Sequence, residues 1–103
     1  MTPDHETHTL DWRGIAVTVR YRPYVFAPVH EIYGSALAHL EIESDSRAPL
    51  PITETGYKSA FLPADAVAAR GGPAAYVRAW LEYEARSEAW REAEAERNQL
   101  SLF

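Results

Sequence analysis

The chain has 103 residues, enough for one domain with a single modest hydrophobic core. Its apolar fraction of 47% and charged fraction of 24% are ordinary for a folded globular protein. The sequence contains no cysteine, which excludes disulfides, thiolate metal sites and a thiol nucleophile. The formal net charge of -5 disfavours direct nucleic-acid binding, because that affinity comes largely from clustered Lys and Arg.

The first residues are polar and acidic, and they predict a flexible lead-in over residues 1–11. Neither a leader-like apolar segment nor a membrane-length apolar run is present, so we expect a cytoplasmic protein without membrane contact. His5 and His8, with Asp4 or Glu6, have a spacing that could hold a metal ion. Since no further ligand cluster follows, we expect a solvated tail, with no metal and no cofactor.

Alternation of apolar and polar residues predicts strands in the first two thirds of the chain. In "WRGIAVTVRYRP" the side chains of Ile15, Val17 and Val19 share one face. A second strand is expected in "SALAHLEIES" and a third from Gly56 to Leu62, with an apolar connection over residues 24–34 between the first two. Three strands are enough for a small antiparallel sheet.

Helical signals begin at Pro63 and continue to the end of the chain. Pro63 suits a first helical position and Gly71 a left-handed stop, which predicts a short helix of about two turns. A longer helix is predicted from Gly72-Pro73 onward, with Tyr76, Trp80, Tyr83 and Trp90 near one face. Beyond Trp90, "REAEAERN" has no apolar residue larger than alanine and predicts a polar helical arm.

These elements predict an α+β fold in which one short and one long C-terminal helix pack on about three antiparallel strands. The chain would comprise the lead-in, a single domain over residues 12–90, the arm over residues 91–98 and a terminal peptide over residues 99–103. One helix of this length would leave part of an aromatic-rich sheet face uncovered, so a homodimer is one expected arrangement.

The segment "TETGYKS" carries enough hydroxyl, acid and amine groups to suggest a nucleophile and a base. Sequence proximity does not establish the geometry of a catalytic triad, and no nucleophile elbow or glycine-rich phosphate loop surrounds the segment. A strand with a polar outward face explains it as well. We therefore expect a protein without enzymatic activity, and chemistry at Tyr57 or Lys58 ranks third among the functions considered.

The chain ends in Gln99-Leu100-Ser101-Leu102-Phe103. This peptide resembles, at all five positions, the Gln-Leu-Ser/Asp-Leu-Phe motif by which bacterial proteins dock on the DNA polymerase sliding clamp. The resemblance implies that Gln99 anchors one subsite through its amide, while Leu100, Leu102 and Phe103 fill hydrophobic pockets. It predicts a small adaptor or modulator of DNA replication that binds the clamp through its C-terminal peptide.

Two other interpretations of these five residues stay open. Their three large apolar side chains could fold back on the sheet or on the face carrying Tyr83 and Trp90. They could also form a hydrophobic degradation tag that a bacterial protease recognises.

Residues 82–96 contain six Glu against two Arg, which makes the end of the helix acidic. The rest of the chain vaguely resembles small uncharacterised proteins of bacterial plasmids, phages and integrated elements, among which are anti-CRISPR proteins. This resemblance implies an alternative function, an inhibitor whose acidic surface faces a nucleic-acid-binding defence complex. The candidate acidic residues are Glu82, Glu84, Glu88, Glu92, Glu94 and Glu96. A solvated helix face interlaced with arginines gives the same pattern.

Overall fold

The structure, a computed structural model, describes residues 6–23 and 37–100, with side chains up to residue 97. The connection predicted over residues 24–34 and the last three residues of the terminal peptide lie outside the described residues. The elements are β1 (Glu6–Trp12), β2 (Ile15–Arg22), β3 (Leu37–Ser44), a short 3-10 turn (Asp45–Arg47), β4 (Tyr57–Pro63), α1 (Ala64–Ala69), α2 (Pro73–Glu84) and α3 (Glu88–Leu100). Among the described residues, no helix is both long and apolar enough to cross a membrane.

The four strands form one antiparallel sheet in the order β1-β2-β3-β4. The predicted α+β class is therefore confirmed, with four strands instead of three. The additional strand is β1, which occupies residues 6–12 where a flexible lead-in was predicted as far as residue 11. Its polar residues belong to an edge strand that turns His8, Leu10 and Trp12 toward the helices and the residues between them toward solvent.

A two-residue turn at Arg13 and Gly14 joins β1 to β2 and fixes their register. Both residues have positive φ, 51° and 85°, as the tight hairpin turns compatible with strand twist require. The Gly14 amide also donates to the Asp11 carboxylate at 3.0 Å. The turn places Trp12 opposite Ile15 and projects Arg13 beyond the end of the sheet, toward the helices.

The core lies on one face of the sheet, under the helices. Alternate residues of β2 and β3 are buried, as the sequence pattern predicts. The buried apolar residues are Leu10, Trp12, Val17, Val19, Tyr21, Ala38, Leu40, Ile42, Leu50, Val67, Val77, Leu81, Ala85 and Trp90. The helices contribute to this core mainly through Val67 of α1, Val77 and Leu81 of α2, and Trp90 of α3.

The prediction of one long C-terminal helix is wrong, because residues 85–87 separate α2 from α3. After α2 ends, the Ser87 hydroxyl accepts a hydrogen bond from the Trp90 amide at 3.1 Å and so caps a new helix. The break lets Trp90 enter the core while Tyr83, predicted on the same face, is 68% exposed. The short helix is confirmed, although it begins at Ala64 and not at Pro63, which ends β4.

Candidate interaction site

The helix that leads to the terminal peptide is held to the domain by Trp90 and Arg13. Trp90 is 7% exposed, and its ring lies 5.9 Å from that of Trp12, centroid to centroid. Arg13 donates from Nη1 to both carboxylate oxygens of Glu94, at 3.0 Å each, and its Nη2 lies 3.6 Å from Glu82 Oε2. The hairpin arginine thus joins α2 to α3, a role that nothing in its sequence surroundings indicated.

One side of the predicted polar arm is packed and not fully solvated, since Ala93, Glu94 and Arg97 are partly buried. The Arg97 guanidinium lies 4.6 Å from the centre of the Trp90 ring, within the distance of a cation–π contact. The helical character of the arm is confirmed as far as Leu100. Gln99 and Leu100 therefore form the last helical turn, whereas Ser101, Leu102 and Phe103 lie outside the described residues.

Five of the six candidate acidic residues separate into two groups. Glu82 and Glu94 both bind Arg13, and Glu82 Oε1 also accepts from the Trp12 indole N–H at 2.6 Å. Glu88, Glu92 and Glu96 follow one another at four-residue spacing, so they share one side of α3. All three are exposed, and no ion pair reaches them from the described residues. Glu84 is half-buried near the end of α2.

A polar network covers the sheet face opposite the core. The Tyr57 hydroxyl donates to Glu41 Oε2 at 2.6 Å, and this hydrogen bond is the main reason that the pKa of Glu41 lies below its usual 4.5. Partial burial opposes that effect, while the nearby His39 and Arg20 add to it. The same hydrogen bond raises the pKa of Tyr57 above its usual 10.0, because only the protonated hydroxyl can donate it. Burial and the negative charge of Glu41 act in the same direction.

The segment "TETGYKS", whose catalytic role ranked third among the predicted functions, has side chains on both faces of the sheet. Tyr57 and Ser59 lie on the polar face, whereas Lys58 lies opposite Ile42 on the core face. The structure brings Ser59 Oγ within 2.7 Å of His39 Nε2, and the His39 ring stacks on Phe61. A base and a hydroxyl are thus adjacent, but the described residues give His39 no orienting carboxylate.

Of the two histidines considered as metal ligands, His5 and His8, the described residues include His8, which makes one hydrogen bond. His8 Nε2 lies 3.0 Å from Glu6 Oε1, whereas His5 is outside the described residues. Residues 6–23 and 37–97 contain no group of three or more His, Cys, Asp or Glu side chains that could hold a metal ion.

Comparison with known proteins places the body of the chain in a family. No curated protein and no solved structure matches the sequence. The family model described as the third domain of KlcB matches residues 5–90, which include all four strands and α1 and α2. The match ends at Trp90 and therefore precedes the arm and the terminal peptide. The chain belongs to the KlcB third domain family.

Proposed function

We propose that this protein is a non-enzymatic interaction module that docks on the bacterial DNA sliding clamp through residues 99–103. The observation that carries the proposal is the agreement of this peptide with the clamp-binding motif at all five positions. Gln99 serves as the polar anchor, Leu100 and Leu102 fill hydrophobic pockets of the clamp, and Phe103 makes the deepest contact.

The position of α3 supports this function. Among the described residues, Trp90 and Glu94 hold α3 to the domain, through Trp12 and Arg13. The motif begins after them, at Gln99. The radius of gyration is 15.5 Å, whereas a compact chain of this length has about 13 Å, so the molecule is elongated. An elongated shape suits a domain that presents a terminal peptide to a partner.

The expected affinity is modest because a short peptide loses conformational entropy when it orders on a partner. A dissociation constant of roughly 1 to 10 µM is typical of such an interaction. Leu102 and Phe103 should contribute most of the binding free energy, since large apolar side chains seated in pockets form hot spots.

The test is a calorimetric titration of a bacterial sliding clamp with the full chain and with three variants. Deletion of residues 99–103 should abolish binding, and Phe103→Ala should weaken it by at least about tenfold. Ser101→Asp is the matched control, because the motif accepts Ser or Asp at this position and binding should persist. Equal binding by the deletion variant, or no binding by the full chain, would refute the proposal.

The family supports a modular role for the body. A description as the third domain of KlcB refers to one unit within a larger protein, as is common for binding modules. We propose that residues 12–90 act as such a unit in the cytoplasm of a bacterium carrying a mobile element, and that the terminal peptide delivers it to the replication machinery.

The alternative function is inhibition of a nucleic-acid-binding defence complex, similar to that of anti-CRISPR proteins. The observation that favours it is the exposed row formed by Glu88, Glu92 and Glu96, whose charges no described cation neutralises. Replacing these three residues with Lys should abolish such inhibition through loss of electrostatic complementarity. The same variant should retain clamp binding, so the two functions are separable.

A further inference from the structure

One side of α2, at the edge of the core, carries three aromatic residues that the core does not fully bury. Tyr76, Trp80 and Tyr83 are spaced by four and three residues, which places them along one strip of the helix. This strip lies beside Val77 and Leu81, which are fully buried, and Tyr76 and Trp80 also pack partly against the core. Tyr76 and Trp80 meet edge to face at 6.2 Å and are partly accessible, and Tyr83 is largely exposed.

A groove of about 700 Å³ runs along this strip. Arginines line it from three different parts of the fold: Arg70 follows α1, Arg86 follows α2, and Arg13 belongs to the β1–β2 turn. Tyr, Trp and Arg are the residue types most enriched at the energetic centres of protein interfaces. The composition of the groove is therefore that of a protein-binding surface.

The charge of the groove indicates what it binds. Glu82 is the carboxylate on its lining, and Glu82 is already engaged by Arg13 and by the Trp12 indole N–H. Arg70 and Arg86 have no carboxylate within ion-pair distance among the described residues. The Arg86 guanidinium instead lies 5.9 Å from the centre of the Tyr83 ring. The groove thus has two free cations in a chain whose net charge is -5.

We propose that this groove docks an acidic amphipathic helix of a partner protein. Apolar side chains on one face of that helix pack on Tyr76, Trp80 and Tyr83, and its flanking carboxylates pair with Arg70 and Arg86. The proposal is independent of clamp binding, because the groove and the terminal peptide share no residue. It assigns the body of the domain a ligand of its own.

Fluorescence anisotropy with a labelled synthetic peptide tests the proposal on the full chain. The probe is a 16-residue helical peptide with Leu at helical spacing on one face and Glu on both flanks, compared with the same peptide carrying Lys in place of Glu. We expect micromolar binding of the acidic peptide, weakened by salt, and at least about tenfold weaker binding of the Lys peptide.

Variants of the chain locate the interaction. Tyr83→Ala and Arg86→Glu should each weaken the acidic peptide about tenfold or more. Arg91→Glu is the matched control, because it makes the same charge change on α3 outside the groove and should bind as the wild type does. All three residues are exposed, so unfolding temperatures should stay close to that of the wild type.

Three results would overturn the proposal. The Lys peptide could bind as tightly as the Glu peptide, or Arg86→Glu could behave like Arg91→Glu. The wild type could also form a dimer that Tyr83→Ala disrupts, in which case a second copy occupies the groove. Clamp titration of Tyr83→Ala gives a separate readout, since loss of peptide binding with clamp binding intact distinguishes the two sites.

Discussion

The indole N–H groups of Trp12 and Trp90 have different surroundings although the two rings are neighbours. Trp12 is 1% exposed and donates to Glu82 at 2.6 Å. The Nε1 of Trp90 is buried and has no hydrogen-bond acceptor among the described residues. A buried N–H without a partner costs free energy, whereas a bonded one contributes to stability.

Conversion of each tryptophan to phenylalanine should therefore have unequal effects. Trp12→Phe removes a hydrogen bond to a carboxylate and leaves Glu82 without that donor, so we expect a loss of about 2 to 4 kcal/mol in the free energy of unfolding. Trp90→Phe removes an unpaired donor and should cost less, about 1 to 2 kcal/mol. Urea unfolding at neutral pH measures both, and an equal or reversed order would contradict this account.

The hydrogen bond between Tyr57 and Glu41 predicts a pH-dependent contribution to stability. The pKa of Glu41 is lower in the folded than in the unfolded chain, so the unfolded chain binds more protons in acid and stability falls as pH falls. The raised pKa of Tyr57 has the opposite sign, so its contribution is lost as pH rises through that value, above 10.0.

Tyr57→Phe isolates this contribution, because the phenyl ring can keep the contact with the Arg47 guanidinium, now 5.5 Å from the ring centre. The variant should be less stable than the wild type at pH 7. The difference in unfolding free energy should shrink as pH falls below about 4.5, the usual pKa of the carboxyl group. Urea unfolding between pH 3 and 7 gives this profile. A difference that is constant over the range would show that the hydrogen bond does not control Glu41.

The sequence pattern predicted burial well within single strands, where alternation along the chain determines which side chains face the core. The alternation in β2 and β3 indicated which side chains face the core, since a strand places successive residues on opposite faces. Contacts between distant residues had no such signal. Trp12 and Glu82 are 70 positions apart, and only the folded sheet and helix bring them together.

Among the elements, β1 and the α2–α3 break were missed for different reasons. The polar composition of residues 6–11 concealed an edge strand, although the alternation of His8, Leu10 and Trp12 before a two-residue turn was a usable signal. Arg13 weakened that signal, because Asn or Asp is the usual residue before glycine in such turns. The helix break lies among good helix formers, so only Ser87, a favoured capping residue, marked it.

The cap at Ser87 leads to a prediction about α3 as a whole. Ser87→Ala removes the acceptor for the Trp90 amide and should destabilise the protein by about 1 kcal/mol. Without the cap, the amide hydrogens in the first turn of α3 should also exchange faster. Ser87→Asp is the matched control, since its carboxylate can accept the same hydrogen bond near a positive helix end. Equal exchange rates in the Ala and Asp variants would contradict a capping role.

At the scale of the whole molecule, the two faces of the sheet and the surface of α2 differ in composition. One sheet face and the inner sides of α2 and α3 form the core, and the opposite sheet face carries a polar network with Tyr57 and Phe61 as its aromatic rings. Pairing of two copies through that face stays a prediction. The groove on α2 is a further surface, separate from both faces of the sheet.

The sequence predicted the α+β class because strand alternation precedes helical periodicity along the chain. The resemblance of the terminal peptide to the clamp-binding motif depends on five residues and on no fold, and it stays a prediction. The groove on α2 was hidden, because its aromatic residues were all interpreted as covering the sheet, whereas Tyr76 and Trp80 do so only in part and Tyr83 is exposed. The break between α2 and α3 decides where Tyr83 lies, because it separates Tyr83 from the face that it was predicted to share with Trp90.

The most direct test of clamp docking is one NMR titration, in which unlabelled bacterial sliding clamp is added to the ¹⁵N-labelled full chain. We predict that amide signals of residues 99–103 shift or broaden first, while those of β1–β4 and α2 change little beyond the effect of slower tumbling. Perturbation centred on the sheet or on α2, or an unchanged spectrum at clamp concentrations of roughly 100 µM, well above the expected dissociation constant, would contradict docking through the terminal peptide.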